Sequence, residues 1–233
     1  MAINLRGVAT VLLPGTGSDE DYLGRVFSGP LGREGAVIVA VSPRTDDLIG
    51  GYRQALDEAA LAGPIVVGGV SIGAIVAIRW ALDHPDHVVA VLAVLPPWTG
   101  APDAAPAALS ARHTAAQLRR DGLAATTEAM RSSSPPWLAD ELTRSWRRQW
   151  PGLPDALDEA AAYPGPSTAD LGRLTAPLGV VAASDDLIHP MEVADQWVSS
   201  APHAALRTVT LEQFGPDPTV LGAAGVSALK AID

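Results

Sequence analysis

The stretch Pro64-Ile65-Val66-Val67-Gly68-Gly69-Val70-Ser71-Ile72-Gly73 decides how this chain folds. An apolar segment, Pro64 to Gly68, runs through Gly69-Val70-Ser71-Ile72-Gly73 into a helix-patterned segment, Ala74 to Leu82. Strand, G-x-S-x-G and helix in that order form the context of a nucleophile elbow. Such a turn is sharp enough to hold its serine in a strained backbone conformation, with the hydroxyl exposed above a sheet. Gly69 and Gly73 fit this geometry, because side chains there would collide where strand and helix cross.

On both sides of the elbow, short β-branched runs alternate with amphipathic stretches. Strands are expected over Val8–Leu13, Ala36–Val41, Pro64–Val70 and Val88–Leu95, with helices over Asp19–Leu31, Asp46–Ala62 and from the elbow to His84. The strand runs are continuously apolar, as parallel strands buried on both faces are. Their alternation with helices predicts an α/β, doubly wound, mostly parallel sheet with right-handed crossovers. From Thr99 to Thr168 the alternation stops. Helices are expected there over Ala105–Asp121, Ala124–Arg131, Trp137–Trp150 and Pro154–Tyr163, between the joints Pro96-Pro97 and Pro164-Gly165-Pro166. The sheet pattern resumes with a strand at Leu178–Ala183, a helix at Met191–Ser200, a strand at Leu206–Leu211 and a helix at Thr219–Lys230.

A chain of 233 residues accommodates one α/β domain with an insertion, and 48% apolar content supports a sizeable core. Sixteen basic against 26 acidic residues give a net charge of −10, which argues against nucleic acid or an anionic membrane as partner. The absence of cysteine excludes disulfides, thiol nucleophiles and thiolate metal sites. The first residues carry no long apolar core and no segment reaches membrane-span length, so cytoplasmic residence is the expectation.

This arrangement resembles the α/β-hydrolase superfamily along essentially the whole chain. The helical insert stands where that superfamily carries a cap domain, and the usual first two strands are missing or reduced. The resemblance implies a core of residues 1–99 and 168–233 with a helical cap of residues 100–167. Leu13-Pro14-Gly15-Thr16-Gly17-Ser18 occupies the place of the family's oxyanion loop, with Pro14 where a histidine is common. By resemblance the oxyanion donors are the N–H groups of Thr16 and Ile72, each worth roughly 3–4 kcal/mol of transition-state stabilisation. Ala183-Ser184-Asp185-Asp186-Leu187-Ile188-His189-Pro190 matches the family's acid loop, with Asp186 as the carboxylate that orients an imidazole.

The family's base follows the last strand. Here the corresponding segment, Glu212-Gln213-Phe214-Gly215-Pro216-Asp217-Pro218, puts Pro216 in its place. The chain holds five histidines. His84 and His87 belong to the far end of the sheet, and His203 to the turn entering the last strand. His189, just after Asp186, and His113, in the first helix of the insert, remain as candidate bases. His189 is preferred, because a strand end positions a side chain better than a mobile cap. Trp98, Trp137 and Ile188 are candidate substrate contacts, since apolar groups around a mouth suit an apolar substrate. Arg144, Arg147 and Arg148 read as a solvated helix face.

The function implied is that of a serine hydrolase without cofactor or metal. It would cleave an ester-type bond of a small or medium apolar substrate through Ser71. The missing customary histidine keeps open a non-catalytic, ligand- or partner-binding member of the fold. A cofactor-free lyase-type enzyme of the same fold is also open.

Overall fold

A computed structural model describes residues 3–232, so positions 1, 2 and 233 of the expected core lie outside the described residues. The strands are β1 (Ala9–Leu13), β2 (Val37–Ala40), β3 (Ile65–Val70), β4 (Val88–Val94), β5 (Leu178–Ala183) and β6 (Ala204–Val209). They form one six-stranded sheet in the order β2-β1-β3-β4-β5-β6, with every pairing parallel. The chain leaves β1 for the edge strand β2, returns past β1 to β3, and then proceeds outward to β6. The winding direction therefore reverses between β1 and β3, which are neighbours with Leu13 in register with Gly69. Loops leaving two strands at such a reversal diverge to opposite faces and open a crevice at the carboxyl ends of the strands.

The helices α1 (Glu20–Arg33), α2 (Leu48–Ala60) and α3 (Ile72–Asp83) follow the first three strands. Strand side chains alternate between the two layers, as a two-residue period requires. Val11, Leu13, Val67, Val91 and Val180 join the core beneath α2 and α3. Leu12, Val66, Leu92 and Val181 join the opposite core beneath α1 and the final helix. Full burial of each such side chain contributes about 1.5–3 kcal/mol.

Between β4 and β5 the chain forms α4 (Pro106–Ser133), α5 (Pro136–Gln149) and α6 (Leu153–Ala162). Gly122 breaks α4 in a left-handed conformation (φ 78°, ψ 171°), where the sequence separates its first two expected helices. Ala115, Leu118, Trp146, Leu153 and Leu157 give this insert a small core of its own. The insert is tied to the sheet domain through α6. The Glu159 carboxylate accepts the Leu48 and Ile49 N–H groups at 2.8 and 2.9 Å, filling donors that the first turn of α2 leaves open.

The chain continues through α7 (Thr168–Leu171), α8 (Met191–Ser200), α9 (Leu211–Phe214) and α10 (Thr219–Lys230). Here the structure corrects one expected boundary. β6 ends at Val209 rather than Leu211, because Thr210 and Gln213 form a reciprocal capping box that starts α9. Ser167 and Asp170 start α7 in the same way. Among the described residues no helix is long and apolar enough to cross a membrane.

Candidate active site

Ser71 stands at the tip of the turn between β3 and α3 with φ 55° and ψ −118°. A non-glycine residue held at positive φ costs on the order of 1–3 kcal/mol and persists only where its surroundings enforce it. They do so here. The Ser71 N–H donates to the Val94 carbonyl at 2.9 Å, locking the turn to β4, and the Ser71 carbonyl accepts from the Ala74 N–H at 2.9 Å to begin α3. A Cβ on Gly73 would overlap the Leu13 carbonyl, and one on Gly69 would come within 2.7 Å of it. The Ser71 side chain makes no cap bond to its own helix, so the hydroxyl is free to point elsewhere.

It points to His189. The Nε2 of His189 lies 2.9 Å from the Ser71 Oγ, and its Nδ1 lies 2.7 Å from the Asp186 Oδ2. An ionised carboxylate only accepts, so Nδ1 carries the ring proton and Nε2 accepts the serine hydroxyl. The other oxygen of Asp186 accepts the backbone N–H groups of Ile188 at 2.8 Å and His189 at 3.3 Å. One carboxylate thus shapes the turn and aims the ring. Burial alone would raise the Asp186 pKa. The hydrogen bond and charge of His189, with the two backbone donors, outweigh burial and hold the carboxyl below its usual range. Asp185 serves elsewhere, accepting the Leu211 N–H at 2.7 Å and joining this loop to the one after β6.

On the other side of Ser71 lies the loop after β1. A Cβ on Gly15 would sit 3.4 Å from the Ser71 Cβ, so this loop passes directly beside the nucleophile. Among the described residues neither the Thr16 nor the Ile72 N–H finds an acceptor. Ile72 is the first residue of α3, where N–H groups are unpaired and the helix dipole is positive.

The loop is held from above by α5. The Ser145 hydroxyl donates to the Gly17 carbonyl at 2.5 Å, and the Gln149 amide donates to the Ser18 carbonyl at 3.0 Å. The Trp146 indole lies so close over Gly17 that a Cβ there would be 2.8 Å from its Nε1. Arg144 grips Asp19, the N-cap of α1, with two bonds of 2.6 and 2.8 Å. Burial raises the Asp19 pKa, but the Arg144 hydrogen bond, the Tyr22 N–H and the charges of Arg144 and Arg148 bring it below the ordinary value.

Several sequence expectations need correction. The arginine strip of α5 is a solvated face only in part: Arg147 and Arg148 are exposed, Arg148 while paired with Glu20 and Asp19, whereas Arg144 is half-buried between Asp19 and Glu141. Trp98 is buried in the core, with Gly165 seated against its ring, and so packs the returning end of the insert. Trp137 packs edge-on against Phe214 at 5.4 Å and covers Gly215. It lines a cavity of about 430 Å³ with Tyr22, Arg25 and Pro216, a lining that does not include Ser71. His113 is exposed on α4 and makes no hydrogen bond to Ser71. Ile188 is exposed on the Asp186–His189 turn. Sequence reasoning missed Ser145, Gln149 and Glu159, which carry no local signal. It also missed that Asp19, legible as a helix cap, would face an arginine.

The model of the alpha/beta hydrolase family matches residues 4–223. The chain belongs to the alpha/beta hydrolase family. Membership carries a hydrolase-type function and enzymatic activity in general. No curated protein matches the sequence. Among solved structures, this family member is similar to Rv0554 from Mycobacterium tuberculosis, with TM-score 0.71 and 18% identity over 99% of this chain and 92% of that one. It is similar to a thermophilic esterase from Thermogutta terrifontis, with TM-score 0.71 and 19% identity over 94% and 88%. It is also similar to MenH from S. aureus, with TM-score 0.69 and 14% identity over 96% of each chain. At these identities the likeness is one of fold.

Proposed function

We propose that this alpha/beta hydrolase is a serine hydrolase of carboxylesterase type, acting on an ester bond of a small or medium apolar substrate. The observation that carries the reading is the continuous path from the Ser71 Oγ to His189 Nε2 at 2.9 Å and from His189 Nδ1 to Asp186 at 2.7 Å. Ser71 attacks the ester carbonyl as its proton passes to Nε2. Asp186 stabilises the imidazolium and keeps the ring in the required tautomer. The tetrahedral oxyanion forms against the N–H groups of Thr16 and Ile72. His189 then protonates the departing alkoxide, leaving an acyl group on Ser71. A water gives a proton to Nε2 as it attacks the acyl carbon; the bond from that carbon to the Ser71 Oγ then breaks, Nε2 returns the proton to Oγ, and the acid is released. Every step is proton transfer or acyl transfer, so the scheme calls for no cofactor and no metal.

The insert, residues 100–167, serves in this scheme as the cap. Its contacts support that role: α6 caps the N-terminus of α2, and α5 holds the loop after β1, both at the carboxyl end of the sheet. Ile188, exposed beside His189, is the apolar contact we assign to substrate. The test is labelling by a fluorophosphonate together with turnover of short-chain p-nitrophenyl esters. Labelling on Ser71, lost in Ser71→Ala and His189→Ala along with ester turnover, is the expected result. A folded protein that neither labels at Ser71 nor hydrolyses esters would sink the reading in favour of a binding protein. Turnover of cyanohydrins in place of esters would point to lyase chemistry.

A further inference from the structure

The loop after β1 is pliable by composition. Gly15 and Gly17 flank Thr16, and Gly17 sits at φ 76°, a region glycine enters freely. Its internal support is one turn bond, Ser18 N–H to the Gly15 carbonyl at 3.0 Å. Yet the Thr16 N–H must be aimed to act on an oxyanion. Three carbonyls fix this loop from outside: that of Pro14 is taken by the Tyr52 hydroxyl of α2 at 3.2 Å, on the side before Thr16, and those of Gly17 and Ser18, on the side after it, are both taken by α5, from Ser145 and Gln149. The Ser145 hydroxyl has a single proton and three carbonyls within reach. Two belong to its own helix, Glu141 at 3.2 Å and Leu142 at 3.4 Å; the shortest contact, 2.5 Å, is to Gly17. Ser145 is fully buried, so no water competes for it.

We infer that Ser145 and Gln149 are positioning residues: through the Gly17 and Ser18 carbonyls they set the aim of the Thr16 N–H, which makes α5 part of the machinery that stabilises the transition state. This rests on the serine hydrolase reading above. The insert and the oxyanion loop then move as one body, and whatever shifts α5 is felt in the rate of the chemical step. A donor aimed at developing charge acts on the transition state more than on bound substrate, so its loss falls on kcat and leaves KM nearly alone.

The experiment compares wild type with Ser145→Ala, Ser145→Thr and Gln149→Met on a p-nitrophenyl ester. Inhibition by a trifluoromethyl ketone, which forms a tetrahedral adduct on serine, is measured alongside. Ser145→Ala is expected to lower kcat by on the order of tenfold to a hundredfold with KM little changed, because a misaimed group close to the reacting atoms costs that much. The inhibition constant should weaken by the same factor, and Ser145→Thr should restore most of both. Gln149→Met should shift kcat and inhibition in the same direction, and it decides the matter if Ser145→Ala does not fold. If wild type hydrolyses the ester while the folded variants keep their kcat and inhibition constants, the positioning role is wrong and the hydrolase reading stands. If wild type neither hydrolyses the ester nor binds the ketone covalently at Ser71, the hydrolase reading fails and the positioning role with it.

Discussion

The loops after β5 and β6 leave neighbouring strands at the same end of the sheet, and they do opposite things. The loop after β5 places Asp186 and His189 on one turn, with the ring against Ser71. The loop after β6 folds into α9 under a capping box, and its Gly215-Pro216 segment lies beneath the Trp137 indole. In the family pattern the second of these loops carries the base. The contrast teaches that an imidazole is specified by where its nitrogens end up, not by where it falls in chain order. On the function proposed above, a carboxylate and a histidine on adjacent strand ends are replaced by the same pair within a single turn, which the carboxylate also holds together.

The sharpest way to break the comparison is to exchange the loops' contents. His189→Ala should lower kcat on an ester by roughly 10²- to 10⁴-fold, the contribution of a positioned base. Pro216→Ala should change it by less than about twofold, as substitutions away from a site do. Adding Pro216→His to His189→Ala should restore nothing. Recovery of turnover in that double variant would mean the loop after β6 still addresses Ser71. Asp186→Asn should give a smaller loss, on the order of 10²- to 10³-fold, because the orienting acid contributes less than the base it serves. A loss equal to that of His189→Ala would show that the turn itself collapses without the charge.

The loop after β6 should answer in stability instead. A Cβ on Gly215 would overlap the Trp137 indole. Gly215→Ala is therefore expected to cost about 1–3 kcal/mol by overpacking, read in a denaturant titration, with kcat nearly intact. A drop in kcat without a drop in stability would contradict the division of labour between the two loops. The smallest effect expected is in the acid limb of the stability curve. The folded-state pKa of Asp186 lies below its ordinary value. Its stabilising contribution is therefore complete above the usual carboxylate range, near pH 4, and is lost as pH falls through the lowered folded value. Asp186→Asn should flatten that limb below about pH 4. An unchanged slope would mean the carboxylate is no better solvated in the fold than out of it.

How much of this was legible in the sequence depended on how far apart the partners lie. The elbow could be read because Gly69, Ser71 and Gly73 satisfy a backbone demand within five residues. Asp186 and His189 could be picked out because a strand end precedes them and only two residues lie between them, although only the structure joins the ring to Ser71. The two short helices were written in Ser167-x-x-Asp170 and Thr210-x-x-Gln213, yet their apolar neighbours read more readily as loop and strand. The clasp on the loop after β1 could not be read at all. Ser145 meets Gly17 across 128 residues, and a serine in mid-helix gives no sign of what it will face. The packing of Trp98 and Trp137 is illegible for a related reason: an aromatic residue beside a mouth looks the same in sequence whether it lines the opening or seals it.

The single turn bearing Asp186 and His189 has a mechanical consequence. When acid and base ride on two strands, any shear of the sheet changes both gaps of the relay. Here the acid–base gap lies within one rigid turn, braced by the Ile188 and His189 amides. Sliding of β5 against β3 carries the pair as a unit. In the hydrolase mechanism proposed above, the relay would then have one compliant joint, between Nε2 and the Ser71 Oγ, and breathing of the sheet would act as a throttle on that joint alone.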